Sequence, residues 1–338
     1  MHRTNWHPSA LAGMAIALLV ATSAACGRTA PAPLPLTKIA DVPLSGAATR
    51  WDYESLDPAT HILFLAHMGD GVLTAFDTRR QRVIADISGV NDVHGVLAIP
   101  ELARVYASAT GTDEVVAIDT GTLKITARMP AGDYPDGMAY APDAHKLYVS
   151  DEHGGTNTVI DVRSNQRVAT IPLGGEAGNT QYDAVSRHIF TNVQTRGQLV
   201  EIDPATDKAV ARIPLPGAKG NHGLYIDAPA RLAFIACEDN DRLLILDLQT
   251  RHVVASFELG RSPDVLAFDD ALGWLYVASE AGGVSLFEVK GRKVRELGSA
   301  LLGPNAHVVA VDPATHRAYF PLKHVQGHPV LRVMQPRS

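Results

Sequence analysis

The stretch KLYVSDEHGGTNTVIDVRSNQRVATIPL, residues 146–173, holds three short runs with different patterns. LYVS is an apolar run with an aromatic residue, and TVID is a second run that ends on aspartate. RVATI then alternates apolar and polar residues with the period of a half-exposed strand. Gly154-Gly155 is a turn dipeptide between the first two. The pattern recurs as RVYASATGTDEVVAIDTGTLKITARMPA (104–131), HIFTNVQTRGQLVEIDPATDKAVARIPL (188–215) and RLAFIACEDNDRLLILDLQTRHVVASFEL (231–259). ILFLAHMGDGVLTAFDTRRQRVIADISG (62–89) precedes these copies; WLYVASEAGGVSLFEVKGRKVRELGSAL (274–301) and RAYFPLKHVQGHPVLRVMQ (317–335) follow them.

Each of the seven copies is preceded by a further apolar segment, which makes four short strands per unit. No stretch after residue 40 carries a sustained 3.6-residue apolar period, so few helices are expected. Four-stranded units at a period near 40 residues are the signature of β-propeller blades. The last copy ends after its third strand, and LTKIADVPL (36–44) supplies the fourth. Such closure pairs both ends of the ring and leaves no open sheet edge between first and last blades. The fold class expected is all-β: a seven-bladed β-propeller over residues 37–338, as a monomer.

Three segments carry a resemblance: LYVSDEHGGTNTVID (147–161), VVAIDTGTLKITARMPAGDYPDGMAYAP (115–142) and LVEIDPATDKAVARIPL (199–215). They are similar to the YVTN-repeat family of β-propellers, and nearly the whole chain after the leader resembles YncE-like members. The resemblance implies the fold and leaves the activity open. Haem d1 domains, the copper-cluster domain of nitrous oxide reductase and streptogramin B lyase share the architecture with unrelated chemistry.

The first 25 residues read as a signal peptide, with Arg3 ahead of the apolar run ALAGMAIALLVATSAA (10–25). Cys26 follows at the position of a lipoprotein cysteine, although Ser23 stands where such signals usually carry Leu or Val. Lipidation of Cys26 and ordinary cleavage after Ala25 both stay open. Gly27, where inner-membrane retention would need Asp, points to the outer membrane of a Gram-negative cell. The expected location is the periplasm, anchored to the membrane through residues 26–36, a Pro/Ala-rich spacer. With Cys26 lipidated, Cys237 is a lone thiol and no disulfide framework exists; it reads as a small buried apolar residue.

The chain has 338 residues, a formal net charge of -6 and no basic run, which argues against a nucleic-acid partner. It contains no phosphate-binding glycine loop, dinucleotide fingerprint, CxxCH or GxSxG. What remains is a periodic set of polar residues. The first strand of each unit begins at Asp52, His94, Asp136, Asn179, His222, Asp264 and His307, recurring every 42 or 43 residues. In a propeller these starts face the axial channel, and loops between second and third strands open on the same face. Those loops bring His67, Glu152, His153, Gln194, Glu238, Glu280 and Lys323 to one end of the channel.

Three readings of this ring stay open. The imidazoles and carboxylates satisfy one another as a hydrogen-bonded belt. Alternatively His94, His222 and His307 ligate a divalent transition metal such as Zn, Cu, Ni or Fe, with carboxylates completing the shell. Or Asp52, Asp136, Asn179, Asp264, Glu152, His153, Glu238 and Glu280 line a site for a small molecule or a periplasmic protein, with or without His–carboxylate acid–base chemistry. A metal-dependent lyase or hydrolase and a non-catalytic scaffold are both compatible with the sequence, which assigns no catalytic residue.

Overall fold

The computed structural model describes residues 1–2 and 32–337. Residues 32–337 form seven antiparallel four-stranded sheets, the blades of a propeller. Blade 3 shows the plan: Pro135–Ala141, Lys146–Asp151, Thr156–Asp161 and Gln166–Pro172 pair in sequence order from the axis outward. The template quoted above therefore covers the second to fourth strands of one blade. The six helices among the described residues are single 3-10 turns, and none is long and apolar enough to cross a membrane.

Burial explains the three sequence patterns. Second strands such as Ile62–His67 are buried along their whole length because neighbouring blades cover both faces. Outer strands such as Arg82–Ser88 alternate between exposed and covered residues, since one face meets water. The aromatic of each second strand (Phe64, Tyr106, Tyr148, Phe190, Phe234, Tyr276 and Tyr319) is buried between blades. Fully burying a large apolar side chain stabilises by roughly 1.5–3 kcal/mol, so this sevenfold repetition makes a continuous inter-blade core. Asp77, Asp161 and Asp203, at the ends of third strands, each accept backbone N–H bonds from the following turn. That is the turn-forming role of a short acidic side chain.

Closure occurs as the sequence implies. Leu36–Pro43 pairs antiparallel with His328–Pro336, from Leu36↔Pro336 to Pro43↔Val330, and completes the blade that contains Ala310–Asp312 and Arg317–Val325. The Arg332 guanidinium grips both Asp41 carboxylate oxygens at 2.7 Å across this pairing. Pro/Ala-rich residues 32–35, expected to belong to the spacer, are instead part of the propeller. Leu34 is buried, and the Ala32 and Pro35 carbonyls accept bonds from the Ser299 and Arg337 amides at 2.9 and 2.8 Å. The expected signal peptide and Cys26 lie outside the described residues.

Candidate functional site

At the start of the first strands of blades 2 to 6, pairing with the second strand skips residues: Val93 pairs Ala109 and Val96 pairs Ala107, with the same shift in blades 3 to 6. The skipped residues, freed from the ladder, turn toward the axis. Asp52, His94, Asp136, His222, Asp264 and His307 occupy one phase of this kink. In blade 4, Ala177 pairs Val193 and Thr180 pairs Thr191, so Gly178 holds that phase and Asn179 falls one residue later. Asn179 thus shares its level with Tyr53, Gly95, Gly137 and Gly223.

Those glycines are required by close approach. A Cβ on Gly95 would sit 2.0 Å from the Asp136 carbonyl oxygen, and one on Gly223 would sit 1.8 Å from that of Asp264. A Cβ on Gly137 would stand 2.5 Å from Asn179 Oδ1. The space they leave is crossed by Tyr53, whose Oη lies 2.5 Å from Asn179 Oδ1, 3.0 Å from His222 Nε2 and 3.3 Å from Asp136 Oδ2. With one hydroxyl proton to give, Tyr53 donates to Asn179, its shortest contact, and accepts from a protonated His222.

Above this bar is a cavity of ≈ 200 Å³ lined by Arg50, Asp52, Tyr53, His94, Tyr134, Asp136, Glu152, His222, Glu238, Asp264 and Glu280. Glu152, Glu238 and Glu280 reach it from the loops after second strands, as their positions in the repeat imply. His67 does not line it: its ring is stacked on Trp51 at 3.8 Å and its Nε2 is 2.9 Å from Thr49 Oγ1. His153 packs against Tyr134 but is exposed and does not line the cavity, and Lys323 is exposed. Gln194 donates to Glu152 Oε1 at 3.1 Å. Cys237 is buried, and burial pushes its thiol up to about 12, which leaves it unreactive.

The three ring histidines have different surroundings. His94 directs Nδ1 to the Asp92 carbonyl oxygen at 2.8 Å and Nε2 to Tyr134 Oη at 2.9 Å. His307 has Nδ1 2.8 Å from Asp264 Oδ2 and 3.2 Å from Glu280 Oε1, and Nε2 2.7 Å from the Trp51 carbonyl oxygen. Both nitrogens face acceptors only, so both carry hydrogen and the ring is an imidazolium. Burial opposes that charge, but the hydrogen bonds His307 donates to Asp264 and Glu280 outweigh it and raise His307 to about 10. Burial likewise opposes ionisation of Glu280, yet His307 and Arg50, whose Nη2 lies 2.7 Å away, hold it at about 2.

His222 is the histidine that faces open carboxylates. Its Nε2 lies 3.6 Å from Asp136 Oδ2 and 3.6 Å from Asp264 Oδ1. Burial is overcome by Asp264, Glu238 and Asp136, and His222 rises to about 9. Burial pushes Glu238 up to about 7, against the pull of His222, and it also raises Glu152 and Asp52. Asp264 is 4% exposed, its Oδ2 is tied to His307, and its Oδ1 has no hydrogen-bond partner among the described residues.

Two groups bring three donor atoms within 4.8 Å of one another: His222, Glu238 and Asp264; and Asp264, Glu280 and His307. Each contains one imidazole, and neither includes His94. The second is closed by internal pairing, since both His307 nitrogens are bonded and Glu280 is held by Arg50. The first keeps an open carboxylate oxygen at a half-neutralised cluster. Tyr53, Tyr134 and Arg50 were not among the residues singled out from the sequence. Tyr53 had a legible signal, an aromatic where three other units have glycine.

No family model matches the chain, and no curated protein matches it by sequence. Among solved structures it is similar to hydrazine synthase from Kuenenia stuttgartiensis, with TM-score 0.73 and 15% identity over 82% of this chain and 94% of that one. It is also similar to virginiamycin B lyase from Staphylococcus aureus, with TM-score 0.71 and 9% identity over 88% and 98%. At these identities the likeness is one of fold.

Proposed function

We propose that this is an exported, YncE-like propeller of the YVTN-repeat kind that binds a divalent metal ion at the mouth of its channel through His222, Glu238 and Asp264. The carrying observation is Asp264: a buried carboxylate with one oxygen fixed by an imidazolium and the other unpartnered beside His222. A buried carboxylate oxygen without a hydrogen-bond donor among the described residues is expensive, and a metal ion that displaces the His222 proton would satisfy it. One imidazole and two carboxylates form a nitrogen–oxygen donor set suited to Zn²⁺ or Mn²⁺. His307 acts as the outer partner that orients Asp264. The leader supports a periplasmic location with an outer-membrane anchor at Cys26.

Metal-dependent lyase or hydrolase chemistry is the second reading, favoured by Glu152. This carboxyl lines the same cavity outside the three ligands and is raised by burial, which suits it to proton transfer beside a bound ion. Elemental analysis of the chain from residue 27, made without an affinity tag and loaded with Zn²⁺ or Mn²⁺, tests the binding claim. One ion per chain is expected; failure to retain either ion removes the proposal.

A further inference from the structure

Beneath the Tyr53–Asn179 bar lies a second chamber of ≈ 160 Å³. Its wall is the next level of the first strands, where six blades place Val96, Met138, Thr180, Leu224, Leu266 and Val309. Blade 1 places Glu54 there, opposite Leu65 in its ladder. Neither Glu54 carboxyl oxygen has a hydrogen-bond partner among the described residues, although both are buried. The Ala310 amide favours the charged form of Glu54. A lone carboxyl in an otherwise largely apolar belt costs stability, since a Leu or Val would pack there as it does in the neighbouring blades.

We infer that this chamber is a second ligand site, independent of the mouth, and that it takes a small primary alkylammonium ion with Glu54 as its counter-ion. An ammonium group has three N–H donors and reaches both carboxyl oxygens, while a short alkyl chain fits the Val, Met and Leu belt. Burial pushes Glu54 well above the usual carboxylate range, and a cation paired with it favours the charged form. An anion would face the carboxyl. No group of three His, Cys, Asp or Glu among the described residues that could hold a metal includes Glu54. Water could find partners in Ser55, Asn179, Thr180 and Gln181, which also line the chamber, but it would leave Glu54 without a counter-charge. Tyr53 forms the partition, its hydroxyl already engaged by Asn179 and His222.

Calorimetric titration of the purified chain with n-propylammonium chloride in an amine-free buffer is the test, with tetramethylammonium chloride and n-propanol as probes lacking the N–H donors or the charge. One saturable site is expected, at least tenfold weaker for both controls. Glu54→Gln should weaken propylammonium binding at least tenfold, and Glu54→Leu should abolish it while raising the melting temperature. Both variants should keep the metal affinity of the mouth, which separates failure here from failure of the metal site. The proposal is overturned if the unaltered chain shows no saturable binding. It is equally overturned if tetramethylammonium binds as well as propylammonium, or if Glu54→Gln and Glu54→Leu leave the affinity unchanged.

Discussion

His307 and His222 sit at the same phase of two blades, yet one is a fixed cation and the other an open ligand. The difference lies in acceptors: His307 has one on each ring nitrogen, whereas His222 shares Nε2 with Tyr53 and two carboxylates. His307 is raised to about 10, above the ordinary histidine value near 6.5 that the unfolded chain has. Its contribution to stability is therefore complete below about pH 6.5 and is lost as pH rises through about 10, on the order of a few kcal/mol. Denaturant midpoints should fall over that interval, and His307→Gln should be less stable at pH 6 with a flatter alkaline profile. Metal binding has a related dependence, because an ion must displace protons from His222 and Glu238, raised to about 9 and about 7. Titrations should show Zn²⁺ affinity rising from pH 6 to pH 8 with proton release. Asp264→Asn should weaken binding at least ~10-fold, equivalent to about 1.4 kcal/mol.

The first strand of each blade is the element that decides what reaches the axis. In blades 2 to 6 its kink turns two successive residues inward, and in three of them glycine at the second position (Gly95, Gly137, Gly223) lets adjacent strands approach. Gly223→Ala should destabilise by about 1–3 kcal/mol, the range for overpacking a tight interior, in equilibrium unfolding. Gly121→Ala, in an outer turn whose nearest neighbour to a new Cβ is 3.5 Å away, should change stability by less than about 0.5 kcal/mol. The same kink explains what could be read in the sequence. Periodicity located the strand starts, and six of seven ring residues follow from counting alone. Asn179 was placed one residue off because blade 4 has Gly178 at the ring phase, and a skipped pairing leaves no mark in hydropathy. Glu238 and Asp264 could be named as lining residues. That Asp264 would serve His307 with one oxygen and face His222 with the other depends on distances across blades, which no spacing encodes.

At the scale of the whole molecule the blades form one ring whose closure rests on Leu36–Pro43. Arg332 fastens that strand through both oxygens of Asp41 and also bonds the Leu302 carbonyl oxygen at 2.6 Å. Arg332→Ala should cost about 1.5–3 kcal/mol, the range for charge-assisted hydrogen bonds, and hydrogen exchange should quicken first in residues 36–43. Closure also fixes the mouth, because Arg50 and Asp52 of blade 1 must meet Glu280 and His307 of blades 6 and 7. The ring thereby sets the geometry in which Asp264 keeps one oxygen free. Anomalous diffraction at the zinc edge from Zn²⁺-loaded crystals tests this directly. The account predicts one peak per chain, bonded to His222, Glu238 and Asp264 and absent in Asp264→Asn; a peak elsewhere on the ring, or none, would contradict it.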